Sequence, residues 1–433
     1  MSTKKHTSVL IVTVCLAVLL GVLISSTLIA KNDTHSDKVK RVLIKPNDAK
    51  SELTIRQNKD VEVMHEFDGK FSANIPEDLS LDQYAEVEDV VVLEIANFES
   101  PKYCGDGLIQ ASEQCGETGL PQCSEGKECN YCQCKNPNSN KAKERTCEPI
   151  DQIPYNVTQV NGGQIPSGDK IDVAVLDTGA FLDHIDLDNI KVCKDTTSNG
   201  MSNGCEDTIY HGTHTAGTVG ANGGPDGLGI FGVAPNANIW AIKVCYSRYC
   251  NDDDIAEAIN YAGKRGAEIV SMSFSSDVPA PLIEEAILSN PDVLFIASSG
   301  NYGYNGVLIG YPAAYKEVVA VGAIDQNKQV VSFSARGIDD GDDSTIVEKE
   351  VELVAGGRSV ESAFSINGCY VRSSGTSMSA PTVSGLAAKV WQGDAESTRL
   401  YLRSIAEDIT DAYGGGAGPG YDAASGYGLP VAP

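Results

Sequence analysis

Short apolar runs alternate with helix-like stretches from about Cys147 to the C-terminus, and this alternation most constrains the fold. Strands and helices that alternate in this way form a parallel sheet with helices on both faces. Active sites in such sheets lie beyond the carboxyl ends of the strands. We therefore predict an α/β fold with a mostly parallel sheet. The candidate strands are 173–176, 239–244, 269–272, 293–297 and 318–321, and the candidate helices are 253–264, 281–289, 376–391 and 397–408.

Acidic residues outnumber basic ones across the chain, with 59 Asp and Glu against 33 Lys and Arg, and the formal net charge is −26. A nucleic-acid-binding protein needs a basic surface, so the composition argues against nucleic acid as a partner. Charge of one sign keeps molecules apart in solution. We expect a monomer.

The N-terminal segment 1–31 has the composition of an export signal. Lys4 and Lys5 precede an apolar run from Val9 to Ile29, which is typical of a signal peptide and also long enough to span a bilayer. Both a cleaved signal and an uncleaved anchor remain open, and any membrane contact is expected only through residues 9–29. A buried core helix is disfavoured because the run lacks amphipathic spacing. The predicted location is extracellular or anchored at the cell surface.

Thirteen cysteines are present, and Cys15 in the apolar run leaves twelve for the exported part. An even count in an exported chain predicts disulfides. Segment 103–134 holds six of them and is predicted to be a disulfide-stapled module, with a zinc site as the alternative. Its opening, Cys-Gly-Asp-Gly at 104–107, resembles cysteine-rich repeats of bacterial surface proteins. Polar residues 135–146 are predicted to be a linker.

Residues 41–98 read as a small α+β unit that precedes the module. Residues 42–44 and 90–95 are apolar and strand-like, and residues 61–67 alternate between apolar and polar side chains, as in a half-buried strand. Pro76 is expected to open a helix.

Three motifs in the region 147–433 carry the chemistry. Asp177 ends an apolar strand, His211 opens the run His-Gly-Thr-His-Thr-Ala-Gly-Thr, and Ser377 lies in Gly-Thr-Ser-Met-Ser-Ala-Pro at a helix start. Taken singly, Asp177 reads as a turn residue and Ser377 as a helix cap. His211 and His214 share a helix face, but no third ligand is evident, so a metal pair is disfavoured. Together the three motifs supply a nucleophile, its base and the group that orients the base, in one of the known chain orders.

These blocks resemble the subtilisin-like serine proteases from about residue 151 to the C-terminus. The run Ala-Ser-Ser-Gly-Asn-Tyr-Gly at 297–303 is similar to the oxyanion segment of that family. The resemblance implies a serine endopeptidase with Asp177, His211 and Ser377 as its triad, Asn301 as an oxyanion donor and no catalytic cofactor. Two alternatives remain: a catalytically silent binding protein on this fold, and an adhesion protein whose function lies in the cysteine module.

The same resemblance implies a cleft for protein or peptide substrates. Gly310 removes a side chain from the main specificity pocket, and Tyr302 stands where some relatives have an acidic residue, so we expect large apolar or aromatic P1 residues rather than basic ones. The loop between Cys245 and Cys250 replaces a longer substrate loop of the family. The implied strand that pairs with substrate contains Ser271, Ser273, Phe274 and Ser275, and the implied pocket walls are Ser298, Ser299, Gly300 and Gly310.

Residues 41–98 resemble the inhibitory propeptide of the family, which implies a self-processing zymogen whose own propeptide is an intramolecular inhibitor. The resemblance also implies a structural calcium ion, since calcium prefers several hard oxygen ligands. We further expect the disulfides Cys193–Cys205 and Cys245–Cys250, with Cys147 and Cys369 left as a possible pair. The implied calcium ligands are Asp151, Asp186, Asp226 and the carbonyls of Leu228 and Ile230.

Overall fold

The computed structural model describes most of the chain between residue 38 and the C-terminus. It divides into two compact units, Met1–Asp89 and Val90–Pro433. The predicted export segment, the linker and most of the cysteine module lie outside the described residues. Among the residues that are described, no helix is both long enough and apolar enough to cross a membrane. The described ranges are 38–95, 128–130, 133–135, 147–163, 170–342, 344–365, 368–410 and 416–433.

The first unit is a four-stranded antiparallel sheet in the order β2-β3-β1-β4 with one helix. Its core contains Val42, Ile44, Ile55 and Phe71. The helix begins where the Asp48 side chain accepts a hydrogen bond from the Ser51 N–H at 2.7 Å, which satisfies a backbone donor that the first turn leaves open. The elements are β1 (Val39–Pro46), α1 (Ala49–Arg56), β2 (Glu62–Phe67), β3 (Lys70–Pro76) and β4 (Ala85–Asp89).

The helix expected from Pro76 is wrong. Pro76 is the last residue of β3, and turns connect it to β4. Proline is compatible with both a strand end and a first helical turn, so its position alone did not distinguish the two.

The second unit is built on an eight-stranded sheet in the order β10-β9-β11-β8-β13-β14-β15-β16. All of its pairings are parallel except the one between β9 and β10. The α/β fold with a mostly parallel sheet is confirmed. Its strands are β8 (Asp172–Asp177), β9 (Ile190–Asp195), β10 (Ser202–Asn203), β11 (Asn238–Lys243), β13 (Ile269–Met272), β14 (Leu294–Ser298), β15 (Val318–Ile324) and β16 (Leu353–Gly356).

Helices and short paired strands complete this unit. The short pairs are β5 with β12, β6 with β7, β17 with β18, and β19 with β20. These strands are β5 (Val92–Glu94), β6 (Glu128–Asn130), β7 (Gln133–Lys135), β12 (Tyr249–Asn251), β17 (Val360–Ala363), β18 (Tyr370–Ser373), β19 (Ala406–Glu407) and β20 (Leu429–Pro430). The helices are α2 (Tyr155–Gln159), α3 (His211–Gly220), α4 (Asp252–Arg265), α5 (Pro281–Leu288), α6 (Thr376–Lys389) and α7 (Ala395–Ser404).

A buried carboxylate connects α7 to the end of the sheet. Glu352 is 0% exposed and lies 2.6 Å from Arg399 Nη2 and 2.6 Å from Arg403 Nε. Burial alone would raise the pKa of Glu352, but the two guanidinium groups outweigh it and hold that pKa below its usual value. The ionised carboxylate therefore stabilises the folded state at neutral pH, and this stabilisation is lost as the pH falls through the lowered pKa.

Replacing Glu352 by alanine should lower the free energy of unfolding by about 3 kcal/mol, because the partly buried Arg399 and Arg403 lose their counter-charge. Urea unfolding in a Ser377→Ala background, which prevents self-digestion, would measure the change. The matched control is Glu407→Ala, which removes the exposed partner of Lys328 and should cost less than about 1 kcal/mol. Equal effects of the two substitutions would contradict the assignment.

Candidate active site

The residues of the predicted triad come from three elements that meet at the carboxyl edge of the sheet. Asp177 is the last residue of β8, His211 is the first residue of α3 and Ser377 is the second residue of α6. Asn301 lies three residues after the end of β14. The strand ends and helix starts of an α/β sheet share one edge, which is where such folds place their sites.

The imidazole of His211 is oriented by a buried carboxylate. His211 Nδ1 lies 2.7 Å from Asp177 Oδ1 and 2.9 Å from Oδ2, and both side chains are 1% exposed. The carboxylate also accepts hydrogen bonds from the Thr178 N–H at 2.7 Å and from Thr215 Oγ1 at 3.1 Å. With Nδ1 donating to the carboxylate, Nε2 is the nitrogen left to act as a base.

A backbone contact brings the histidine and the aspartate together. A Cβ atom on Gly212 would lie 2.1 Å from the carbonyl oxygen of Gly179. Only glycine at position 212 therefore allows the start of α3 to approach the turn that follows Asp177.

Asp207 is a site residue that the sequence analysis missed. It is 3% exposed and joins the end of β8 to the start of α3. Thr178 Oγ1 donates to it and in turn accepts the Gly212 N–H, each at 2.8 Å. An aspartate four residues before a helix has no periodic signature in the sequence, although aspartate is a common capping residue. Its other donors are the N–H groups of Ile209, Tyr210 and Thr213 and the Thr213 hydroxyl.

Ser377 and Asn301 are held by the same turn at the start of α6. Asn301 Oδ1 accepts hydrogen bonds from the Thr376 N–H at 2.8 Å and from Thr376 Oγ1 at 2.9 Å. This fixes the amide oxygen, so the NH₂ group is the end that can donate elsewhere. Ser377 Oγ lies 3.3 Å from the Ser273 carbonyl oxygen, and Ser273 Oγ donates to the Ser377 carbonyl at 3.0 Å.

His214 does not form a metal pair with His211. Its Nε2 atom lies 3.0 Å from the carbonyl oxygen of Val360. Burial lowers the pKa of His214 to about 4, so the ring is neutral at physiological pH. It is a buried, hydrogen-bonded histidine of the core.

An extended segment of the chain lies between two backbone edges beside this site. Strand β5 pairs antiparallel with β12. On its other side, Glu94 and Ser275 exchange two backbone hydrogen bonds of 2.9 Å. On the β12 side, the Ile95 N–H also donates to the Arg248 carbonyl at 2.8 Å. A peptide substrate bound by strand addition makes bonds of this kind.

Among the residues predicted for the substrate strand, Ser275 pairs with Glu94 through its backbone, but Ser271 is a strand residue of the central sheet. Ser271 lies within β13, which pairs with β8 on one side and with β14 on the other. Its backbone is already bonded within the sheet, so it cannot pair with a substrate. Phe274 is buried at 1% exposure and packs inward.

The residues predicted to form the pocket walls lie next to this strand. The Gly310 N–H donates to the Ser299 carbonyl at 3.1 Å, and the Gly300 N–H donates to Thr376 Oγ1 at 3.1 Å. Ser298 is the last residue of β14. The side chain of Ser275 faces both glycines, so it lies next to the space that Gly310 leaves open.

The predicted calcium ligands are brought together only in part. Asp186 is 0% exposed and accepts hydrogen bonds from the Ile230 N–H at 3.0 Å and the Tyr370 hydroxyl at 2.6 Å. A Cβ atom on Gly229 would lie 2.0 Å from Asp186 Oδ1, so this loop backbone packs directly on the carboxylate. The Asp151 carboxylate lies 3.4 Å from the Arg372 guanidinium, a cationic neighbour that opposes a metal ion.

Two carbonyl oxygens of the loop contact Gln152, which was not among the predicted ligands. The side-chain amide of Gln152 lies 3.1 Å from the Gly227 carbonyl and 3.4 Å from the Gly229 carbonyl. The carbonyl of Ile230 instead accepts the Gly223 N–H, and the carboxylate of Asp226 accepts the Leu228 N–H. The loop is rich in oxygen atoms, and those that contact Gln152 are not among the predicted ligands.

Among the described residues of this unit, three disulfides are present. Cys193 is bonded to Cys205 and Cys245 to Cys250, the two local pairs that were expected. The third joins Cys147 to Cys369.

The fold and this site define a serine endopeptidase of the α/β type. The matching family model is described as the subtilase family and covers residues 168–428. The chain belongs to this family.

Individual relatives agree with the family. The chain is 38% identical over 298 residues to a subtilisin of Bacillus sp. (strain TA39), covering 63% of this chain and 68% of that protein. It is 34% identical over 271 residues to subtilisin Savinase of Lederbergia lenta, covering 60% of this chain and 93% of that protein. The solved structure of sphericase is similar with a TM-score of 0.61 and 39% identity, covering 66% of this chain and all of sphericase.

Replacing Asp207 by alanine should lower kcat/KM by about 10²-fold, because a small displacement of a catalytic group has effects of this size. The loss should fall mainly on kcat, since the hydrogen bonds of Asp207 go to the segments that position His211. Steady-state kinetics on a peptide substrate would measure both constants. Asp342→Ala, which removes an exposed turn cap, is the control and should leave them unchanged. A rise in KM with unchanged kcat would contradict this role.

Proposed function

We propose that this protease hydrolyses peptide bonds with Ser377 as nucleophile, His211 as general base and Asp177 as the group that orients the base. The observation that carries the proposal is the bond from His211 Nδ1 to the buried Asp177 carboxylate, at the sheet edge where α6 presents Ser377. A serine hydroxyl becomes an effective nucleophile when such an oriented base takes its proton.

The proposed reaction has two halves. Ser377 Oγ attacks the carbonyl carbon while its proton passes to His211 Nε2, and the carbonyl oxygen becomes an oxyanion. The Asn301 amide and the Ser377 N–H donate to this oxyanion, and the start of α6 adds the favourable end of a helix dipole. His211 then protonates the leaving amine, and the acyl-enzyme is hydrolysed by water through the reverse sequence of proton transfers. No cofactor takes part in these steps.

We also propose that residues 41–98 act as an inhibitory propeptide. The support is the pairing of β5 with β12 and of Glu94 with Ser275, because these bonds occupy the backbone edges that a substrate would need. A chain held there competes with substrate until it is cut and leaves. The proposed enzyme is therefore made as a zymogen that processes itself.

The strand register suggests which bond is cut. In an antiparallel pair, a step towards the N-terminus on one strand corresponds to a step towards the C-terminus on the other. Two residues before Ser275 is Ser273, which contacts Ser377. The same count forward from Glu94 in the sequence reaches Ala96, which lies outside the described residues. We expect self-cleavage at the Ala96–Asn97 bond.

Export and a surface location are part of the proposal. The support is the basic and apolar start of the sequence and the three disulfides of the described residues, because disulfides persist in oxidising compartments. The N-terminal segment is proposed to be either a cleaved signal peptide or an uncleaved membrane anchor. We propose a monomer that acts on proteins or peptides with apolar P1 residues, because Tyr302 provides no acidic group for a basic one.

Ser377→Ala should abolish both activity and self-processing. Wild type should react with a serine-directed fluorophosphonate and yield a product whose N-terminus is Asn97, whereas the variant should do neither. Labelling followed by N-terminal sequencing would measure both properties. Ser379→Ala is the matched control, because Ser379 lies on the same helix but donates to the Ala355 carbonyl. A Ser377→Ala protein that matures in a protease-free host would contradict self-processing.

We propose that calcium binds at the loop that packs on Asp186 and stabilises the folded state without entering the chemistry. Carboxylate and carbonyl oxygens are suitable ligands. Asp186 supplies the carboxylate, and the carbonyls of Gly227 and Gly229, which accept hydrogen bonds from the Gln152 side chain, supply the others. Calcium at about 100 times its dissociation constant should add about 2.7 kcal/mol of stability.

Thermal inactivation should therefore be slower in millimolar calcium than in chelator, and Asp186→Ala should remove most of that difference. Residual activity after timed heating would measure it, with Asp342→Ala as the control. Identical inactivation with calcium and after prolonged dialysis against chelator would rule out the site.

A further inference from the structure

We infer that Ser275 limits the size of the pocket that receives the P1 side chain, and that this protease prefers small P1 residues such as alanine over aromatic ones. The inference rests on the proposed active site and deepens it by naming the substrate class. It revises the expectation of large P1 residues, which took only Gly310 into account.

The pocket lies between three segments beside the nucleophile. Ser273 contacts Ser377 through two hydrogen bonds, so residues 273–275 lead away from the reacting centre. Gly300 directly precedes Asn301, and its N–H is bonded to Thr376 in the turn that presents Ser377. Gly310 is bonded to Ser299 and closes the third side. A P1 side chain entering next to Ser377 therefore meets residue 275 between the two glycines.

The side chain of Ser275 spans the space that the glycines leave. A Cβ atom placed on Gly310 would lie 3.2 Å from the Cβ of Ser275, and one placed on Gly300 would lie 3.6 Å from its Oγ. The 3.6 Å distance is an ordinary van der Waals contact, and the 3.2 Å distance is shorter than one. The glycines remove side chains from two walls of the pocket, and Ser275 adds one from the third.

Backbone bonds prevent the walls from moving apart. Ser276 and Tyr311 exchange two N–H···O bonds of 2.9 Å, and a Cβ atom on Gly310 would lie 2.8 Å from the Ser276 carbonyl. Widening the pocket would break these bonds. Because close-packed walls of this kind discriminate by about 10- to 200-fold for a single methylene, the Ser275 side chain is large enough to set a preference.

The chain's own sequence agrees with a small P1 residue. The backbone N–H and the carbonyl of Glu94 both form hydrogen bonds with Ser275. The residue two positions after Glu94 in the sequence is Ala96. The segment that we propose as the first substrate thus offers alanine where the count places P1.

The test measures kcat/KM for two peptides that differ only in P1, alanine or phenylalanine, with wild type and with Ser275→Gly, Ser275→Ala and Ser275→Val. Wild type should prefer alanine by about 10-fold or more. The ratio of phenylalanine to alanine should rise at least about 10-fold in the glycine variant, rise less in the alanine variant and fall in the valine variant. Ser289→Ala is the control, because its exposed hydroxyl donates to the Glu285 carbonyl at the end of α5, and its ratio should match wild type.

A wild type that prefers phenylalanine, or a ratio that is the same in all four proteins, would overturn the inference. If the glycine variant does not fold, the opposite shifts of the alanine and valine variants decide the question. Fluorophosphonate labelling of each protein distinguishes failure of the inference about Ser275 from failure of the proposed active site. Labelled enzymes with an unchanged ratio refute the role of Ser275 alone, whereas absence of labelling in wild type refutes the proposed active site and this inference with it.

Discussion

The active site depends on the close approach of two backbones, the turn after β8 and the first turn of α3. Gly212 meets the carbonyl of Gly179 at a distance that excludes any side chain. Only this approach places His211 Nδ1 on the Asp177 carboxylate, and the carboxylate of Asp207 then holds the two elements together from the other side. The sheet brings strand ends and helix starts to one edge, but these local contacts determine the hydrogen-bond geometry.

The sequence predicted the central sheet well because its strands are buried on both faces. Strands of that kind are nearly continuous apolar runs. The five candidate runs match β8, β11, β13, β14 and β15, with only Val244 and Val293 lying one residue outside their strands. The strands β9, β10 and β16 were not predicted. β9 contains two lysines and is only half-buried, and β10 is two exposed polar residues. β16 is a buried apolar run of four residues and was overlooked despite its apolar content.

The candidate site was predictable to the extent that its chemistry is local in sequence. Asp177, His211, Ser377 and Asn301 each lie within a short motif, and the structure gathers them at one edge. Asp207 and Gln152 were missed because they act through partners distant in sequence or in loops without periodicity. Ser271 was wrongly assigned to the substrate strand, since a sequence does not show where a strand leaves its sheet. Ser275 was recognised for its backbone, while the effect of its side chain depends on two glycines that only folding brings near.

The disulfide between Cys147 and Cys369 has a consequence for the lifetime of the enzyme. A protease at high concentration is exposed to cutting by its own copies, and exposed loops such as 338–342 are the natural points of attack. The bond joins residues that are 222 positions apart, so a single nick between them leaves both fragments covalently attached. The parts that carry Asp177 and Ser377 then stay at high effective concentration. Damage of this kind would be visible on a reducing gel before it appears as lost activity.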